Sequence, residues 1–320
     1  MQIRELSVVE CLFDLDLALP TLGKFWIRSA PRNDGVVLGA YLNGESAQRL
    51  VGIAVLRLKK WATIEYIFVD EEFRGQGVGT QLVQTAASLA QERGKPVIKA
   101  RAIIQEPCGR IFAHLLEKVG FQAHDTASIF RFRNTYQARQ AWAEFMERKG
   151  RRICKRLEER GFRTISFAEA DAELMERFAQ AVKTRFPANL NPYSFLDSHD
   201  HKVVRDFSFL ALKGDEPAAY ILLTTIDGKT LSAQQLSVSF QYQRSGAFLL
   251  PIAALAEKAF HSPHGYRLLS AMVYNSNSRM ISLYQGFLQP LAVNVNTQYF
   301  YVLPLQEGDC STCGDREESI

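Results

Sequence analysis

The sequence is short of cysteine, of long apolar runs and of net charge, and each shortage excludes a class of protein. Five cysteines in 320 residues, at positions 11, 108, 154, 310 and 313, are too few and too scattered for a disulfide framework. They fit a reducing compartment. Cys310 and Cys313 form one CxxC in a polar tail, without the second pair of ligands that a structural zinc site requires. The most apolar run, Ala247 to Ala256, contains Pro251 and is too short to span a membrane. The N-terminus carries Glu5, Glu10, Asp14 and Asp16 where a secretory signal would be basic and then apolar. A formal net charge of +4 is too small to argue for nucleic acid. The chain therefore reads as cytoplasmic, with no membrane and no nucleic-acid partner.

What the chain does have is apolar material for sizeable cores, 47% of residues, and a length that favours two domains. Its most informative stretch runs from Ala62 to Gln91. A strand pattern opens it, with Ile64, Tyr66 and Phe68 alternating against Glu65, Ile67 and Val69, which predicts two faces. An acidic loop, Asp70-Glu71-Glu72, leads to Arg74-Gly75-Gln76-Gly77-Val78-Gly79-Thr80 and then to a helix. Val78, Leu82, Val83, Ala86, Leu89 and Ala90 form its apolar stripe, and Gly94 and Pro96 stop it. A glycine turn entering a helix gathers unpaired backbone N–H groups at the positive end of the helix dipole. That is an anion site suited to phosphate, and Arg74 adds a charged donor. The pattern is not the dinucleotide fingerprint, and no Gly-Lys-Ser/Thr follows that would make it a nucleotide P-loop.

The stretch resembles the acetyl-CoA motif of the GCN5-related N-acetyltransferases. That family carries Gln/Arg-x-x-Gly-x-Gly/Ala between its fourth strand and third helix, and here Arg74, Gly77 and Gly79 fill the pattern. The family ends its next helix with a Gly-Phe pair, matched by Gly120-Phe121. The resemblance covers roughly residues 1–133. It implies an α/β fold built on a twisted mixed sheet flanked by helices, and acetyl-CoA or another acyl-CoA as cofactor. The cofactor would be held by Ile67, Phe68, Val69, Arg74, Gly75, Gln76, Gly77, Val78, Gly79 and Thr80.

In chain order, Val36–Leu42 and Leu50–Leu58 are expected as strands joined by a turn at Asn43-Gly44, followed by Ala62–Val69. Val97–Ala102 reads as a strand, Cys108–Lys118 as a helix and Ile129–Phe132 as a closing strand. Residues 134–160 read as a connecting helix broken near Gly150. Trp142, Phe145, Met146, Ile153 and Leu157 form its apolar stripe, and its basic residues form a solvated face.

From residue 161 the pattern begins again. Phe207–Leu212, Ala218–Thr225 and Leu236–Tyr242 are expected as strands. Gly246 follows Gly77 by 169 residues and Gly286 follows Gly120 by 166, which predicts a duplicated domain over 161–305 and a flexible tail over 306–320. Phe248 stands where the first copy has Gly79, and Pro251 is best tolerated in a helix's first turn. The second helix should therefore start later than the first, and the second copy reads as degenerate. His199-Asp200-His201 lacks a third ligand and reads as a loop, so no metal site is expected.

By the resemblance, the thioester would sit where the fourth and fifth strands separate, its oxygen met by a backbone N–H near Ile67 to Val69. Glu65, the only acid within that strand, is the candidate general base, expected on the side of Ile67 and Val69. Many relatives place an acidic tyrosine four residues before the Gly-Phe pair; here Leu116 stands there. The chain is thus expected to be an acetyl-CoA-dependent N-acetyltransferase acting on an amine of a small molecule, peptide or protein. A homodimer is compatible with that reading. An acyl-CoA-binding pseudoenzyme and an aminoacyl-tRNA-dependent transferase are the alternatives.

Overall fold

The computed structural model describes residues 1–12, 15, 17–43, 48–197, 202–225, 227–262, 266 and 268–306. Gly44 of the expected hairpin turn, the His199-Asp200-His201 triplet, and Cys310 and Cys313 with the tail lie outside the described residues. In chain order the elements begin β1 Gln2–Glu5, α1 Val8–Leu12, α2 Thr21–Ser29, β2 Gly35–Asn43, β3 Gln48–Leu58 and β4 Ala62–Val69. Then come α3 Val78–Glu92, β5 Val97–Ile103, α4 Pro107–Val119, β6 Gln122–Phe132, α5 Tyr136–Phe145, α6 Arg151–Glu159, β7 Phe162–Ser166 and α7 Ala172–Arg185. The remainder is α8 Tyr193–Leu196, β8 Lys202–Val203, β9 Phe209–Lys213, β10 Glu216–Thr225, β11 Thr230–Val238, α9 Leu249–His261, β12 Leu268–Tyr274, α10 Ser278–Leu283 and β13 Ala292–Pro304. Among the described residues, no helix is long and apolar enough to cross a membrane.

The chain forms two compact units. Among the described residues, the first is Met1–Ala127 together with residues 296–306; the second is Ser128–Val295. The sequence-based division left residues 296–305 with the second half. In the structure Gln298 to Pro304 pair antiparallel with Ile103 to Val97 of β5, and Tyr301 is buried in the first unit's core. The reason is local. Tyr299 and Tyr301 carry the same alternating apolar pattern that any edge partner of β5 would need, and pattern alone does not name the partner.

In the first unit the strand order is β1-β2-β3-β4-β5-β13, antiparallel except for the parallel β4/β5 pair. Two cores cover its faces. One holds Leu56, Ile64, Leu82, Ile98 and Leu116 beneath α3 and α4; the other holds Ile27, Val37, Ile53 and Val55 beneath α1 and α2. In the second unit β12-β11-β10-β9-β7 repeat that scheme, with β8 on β10 and a single parallel pair, β11/β12. Its cores lie around Leu231, Leu249 and Leu255 on one face and around Phe167, Phe178 and Tyr220 on the other.

The same S-x-x-E turn follows the first strand of each unit. Glu10 Oε2 accepts from the Ser7 N–H at 2.8 Å, and Glu169 Oε2 accepts from the Ser166 N–H at 2.8 Å. At Ser7 this is a capping box for α1, whereas Ser166 and Glu169 close a turn ahead of α7, whose N-cap is Asp171.

Three expectations change. β6 begins at Gln122, seven residues ahead of the expected start at Ile129. β11 begins at Thr230, six residues ahead of the expected start at Leu236, because Ser232, Gln234 and Gln235 break the apolar alternation. The connecting segment remains helical through Gly150: α5 and α6 are joined by a π-turn over Met146–Gly150, where a Cβ on Gly150 would lie 2.3 Å from the Met146 sulfur.

Candidate acyl-donor site

β4 departs from simple alternation. Val55 pairs with Tyr66 and Leu56 with Ile64, so Glu65 is an extra residue, a β-bulge. The bulge reverses the faces expected from sequence. Ile64 shares its core with Ile67 and Val69 under α3 and α4, while Tyr66 and Phe68 pack under α1 and α2. Glu65 is therefore not on the side of Ile67 and Val69. Its carboxylate lies with Arg57 and Arg101, whose strand neighbours Leu56 and Ala100 face the other way.

Backbone direction follows from one bond. The Asp70 N–H donates to Val51 O at 2.9 Å. In an antiparallel ladder the bonding residues alternate, so Phe68 and Tyr66 also point to β3, and Ile67 and Val69 point away. They point into a splay: β4 pairs with β5 only from Ala62 to Ile64, and the strands part at the bulge. The Val69 carbonyl accepts from Arg74 Nε at 3.1 Å, consistent with that direction. Of the three strand residues expected to meet the cofactor, Ile67 and Val69 present their N–H groups to the splay, whereas Phe68 directs its own to β3.

The turn that follows is open. Gly75 and Gly77 have positive φ, 77° and 83°, and a Cβ on either would meet nothing within 4 Å. Gly77 is the helix N-cap in the left-handed region, where a side chain is disfavoured. The first intrahelical bond runs from the Gln81 N–H to Gly77 O at 3.0 Å. The N–H groups of Gly75, Gln76, Gly77, Val78, Gly79 and Thr80 have no partner among the described residues. Those of Val78, Gly79 and Thr80 belong to the first turn of a 15-residue helix, at its positive end. Gly79 serves a different need, because its Cβ position lies 3.2 Å from Leu115 of α4. The acids ahead of the turn are partly neutralised: Arg49 pairs with Asp70 at 3.1 Å and Glu72 at 3.0 Å. A diphosphate fits this donor set, since open space, left-handed glycines and unpaired N–H groups coincide.

Glu65 Oε1 lies 2.5 Å from Arg57 Nη2 and Oε2 lies 2.6 Å from Arg101 Nη2, with the carboxylate side chain 1% exposed. Oε1 is buried and its contact lies off the hydrogen-bonding direction. Sequence reasoning missed both arginines. Each is a cation set directly between apolar residues, Leu56-Arg57-Leu58 and Ala100-Arg101-Ala102, and that setting was the available signal. Leu116, at the position of the expected acid, is fully buried in the core.

The second unit preserves the strand geometry and closes the turn. Leu222 pairs with Gln235 and Leu223 with Ala233, so Gln234 is a bulge, and the Ser239 N–H donates to Ala218 O at 2.9 Å. Gln234, Ser239 and Gly246 each follow Glu65, Asp70 and Gly77 by 169 residues. At the turn the resemblance ends. The Ser245 N–H bonds Tyr242 O, the Ala247 N–H bonds Ser245 Oγ, and the N–H groups of Leu249 and Leu250 bond Gly246 O and Ala247 O. A Cβ on Gly246 would meet Ile153 of α6 at 3.1 Å. Helix α9 starts at Leu249, two residues later than the counterpart of Val78, as Pro251 led one to expect. Gly286-Phe287 also differs from its model pair. Gly120 caps α4 in the left-handed region with φ 102°, while Gly286 lies inside a π-turn over Tyr284–Leu288.

The sequence matches the acetyltransferase (GNAT) family over residues 2–121 and again over 173–287. The structure is similar to a tandem GNAT protein from the clavulanic acid biosynthesis pathway, at 13% identity and TM-score 0.61, over 96% of this chain and 99% of the other. It is similar also to a GCN5-related N-acetyltransferase from Sphaerobacter thermophilus, at 13% identity and TM-score 0.58, over 96% of each chain. No curated protein matches the sequence significantly.

Proposed function

Because the chain belongs to the acetyltransferase (GNAT) family and is an N-acetyltransferase, we propose that acetyl-CoA is its acyl donor, bound by the first unit alone, and that an amine is the acceptor. One observation carries this reading. Six consecutive N–H groups, Gly75 to Thr80, are free around an open turn in the first unit, whereas the matching turn in the second is bonded to itself and covered by Ile153. In the first unit the N–H groups of Gly77 to Thr80 and the Arg74 guanidinium would take the diphosphate. The Ile67 or Val69 N–H, facing the splay, would meet the thioester oxygen.

For Glu65 we propose an anchoring role in place of the proton acceptor expected from sequence. Each of its oxygens faces a guanidinium group, and 1% of the side chain reaches solvent, which leaves no room for an acceptor amine. The carboxylate holds the bulge, and the bulge sets the direction of the Ile67 and Val69 N–H groups. A second reading, an acyl-CoA-binding pseudoenzyme, is favoured by one fact: buried Leu116 occupies the position of the family's acid. Release of free coenzyme A from acetyl-CoA with a panel of polyamines, amino sugars and lysine peptides separates the two. Amine-dependent release supports the transferase, and tight binding without release supports the pseudoenzyme.

A further inference from the structure

The second unit contains a cavity that acyl transfer does not use. Its volume is about 100 Å³, and its walls are almost wholly apolar. Leu231, Ala233 and Ala271 line it from the sheet, ahead of the bulge at Gln234, and α9 lines it from Ile252 to Phe260. Arg133 and Asn134, both exposed, stand at its rim. The size is of the order of the apolar cavity, about 150 Å³, that stays dry in a protein core and takes up benzene.

One polar group inside has no partner. Tyr284 lines the cavity, is 5% exposed and packs on Phe130 at 5.0 Å, and its hydroxyl makes no hydrogen bond among the described residues. Other buried tyrosines of this protein are satisfied. Tyr220 donates to Leu190 O and lies 2.8 Å from Gln235 Oε1, and Tyr301 donates to Glu117 Oε1 at 3.1 Å. The Tyr284 oxygen is not among the buried atoms that lack a partner, so the hydroxyl keeps access to solvent and to a molecule entering the cavity. Tyr284 also opens the π-turn over Tyr284–Leu288, a helical irregularity that is frequent at functional sites. Burial pushes its hydroxyl up to about 12, so it stays a neutral donor across the physiological range.

We propose that this cavity is a second binding site, for a small neutral apolar molecule of about one ring whose single hydrogen-bonding group meets the Tyr284 hydroxyl. Apolar walls exclude a charged ligand, because nothing inside would compensate the lost hydration. The volume excludes a coenzyme. The hydroxyl selects, among ring-sized molecules, those carrying an acceptor.

Fluorine NMR of the full chain with 4-fluorophenol and with fluorobenzene tests this. Both probes should bind saturably at one site. Tyr284→Phe should weaken 4-fluorophenol by about tenfold, the upper range of one net hydrogen bond, and leave fluorobenzene within about twofold. Ala259→Phe, which fills the cavity from α9, should abolish both; Ala233→Leu fills it from the sheet and serves if the first variant does not fold. Absence of saturable binding to the wild-type chain would overturn the proposal. So would binding that survives a folded filling variant, or equal weakening of both probes by Tyr284→Phe.

Discussion

Glu65 Oε2 lies 2.6 Å from Arg101 Nη2, and Oε1 of the same carboxylate lies 2.5 Å from Arg57 Nη2. The arginines come from β5 and β3, the strands on either side of β4. One buried anion therefore ties three strands together at the point where two of them part.

Glu65→Gln should leave two mostly buried guanidinium groups without a counter-charge. Removing one member of a buried ion pair costs about 3–5 kcal/mol, so the urea midpoint of the first unit should fall clearly. Acetyl transfer should fall as well, because the bulge directs the Ile67 and Val69 N–H groups, but the pH–rate profile should keep its shape. Loss of one limb of that profile at unchanged stability would instead assign proton transfer to Glu65.

Phe248→Gly should not create a second donor site. The side chain is one of several obstacles: the N–H groups of Ala247, Leu249 and Leu250 are already bonded, and Ile153 stands over Gly246. Equilibrium dialysis with labelled acetyl-CoA should give the same number of sites for variant and wild type. An added site would show that the closed turn opens readily.

Glu10 supplies a pH dependence in the first unit. The Arg4 guanidinium at 2.6 Å, then the Ser7 N–H and hydroxyl, hold its carboxyl down to about 2 from an ordinary 4.5. A depressed carboxylate stabilises the fold above its unfolded value, and that contribution disappears as pH falls through the folded one. The melting-temperature gap between wild type and Glu10→Gln should be constant above about pH 5, narrow below 4.5 and close near 2. A gap independent of pH would show that the charge contributes nothing.

Much of this was legible from residues alone. Arg74, Gly77 and Gly79 before an apolar stripe, and Gly120-Phe121 after the next, located the first turn and its helices. The 169-residue offset located the second turn, and Phe248 with Pro251 pointed to its altered helix start. The bulges were not legible. Glu65 and Gln234 look like ordinary alternating residues, and only pairing with β3 and β10 shows each to be extra. The partner of β5 was also hidden, because Tyr299 and Tyr301 are suited to many sheet edges. Closure of the second turn by Ile153 rests on a contact 93 residues away in sequence, which no local pattern encodes.

In the proposed division of work, one copy is open to acetyl-CoA and the other is closed. Calorimetric titration of wild type, Gly77→Asp and Gly246→Asp with acetyl-CoA tests it most directly. Aspartate tolerates the left-handed backbone better than most residues and places a negative charge where a phosphate would sit. The expected result is one site per chain in the wild type, no binding in Gly77→Asp, and near-normal affinity in folded Gly246→Asp. Two sites in the wild type, or lost binding in a folded Gly246→Asp, would contradict it.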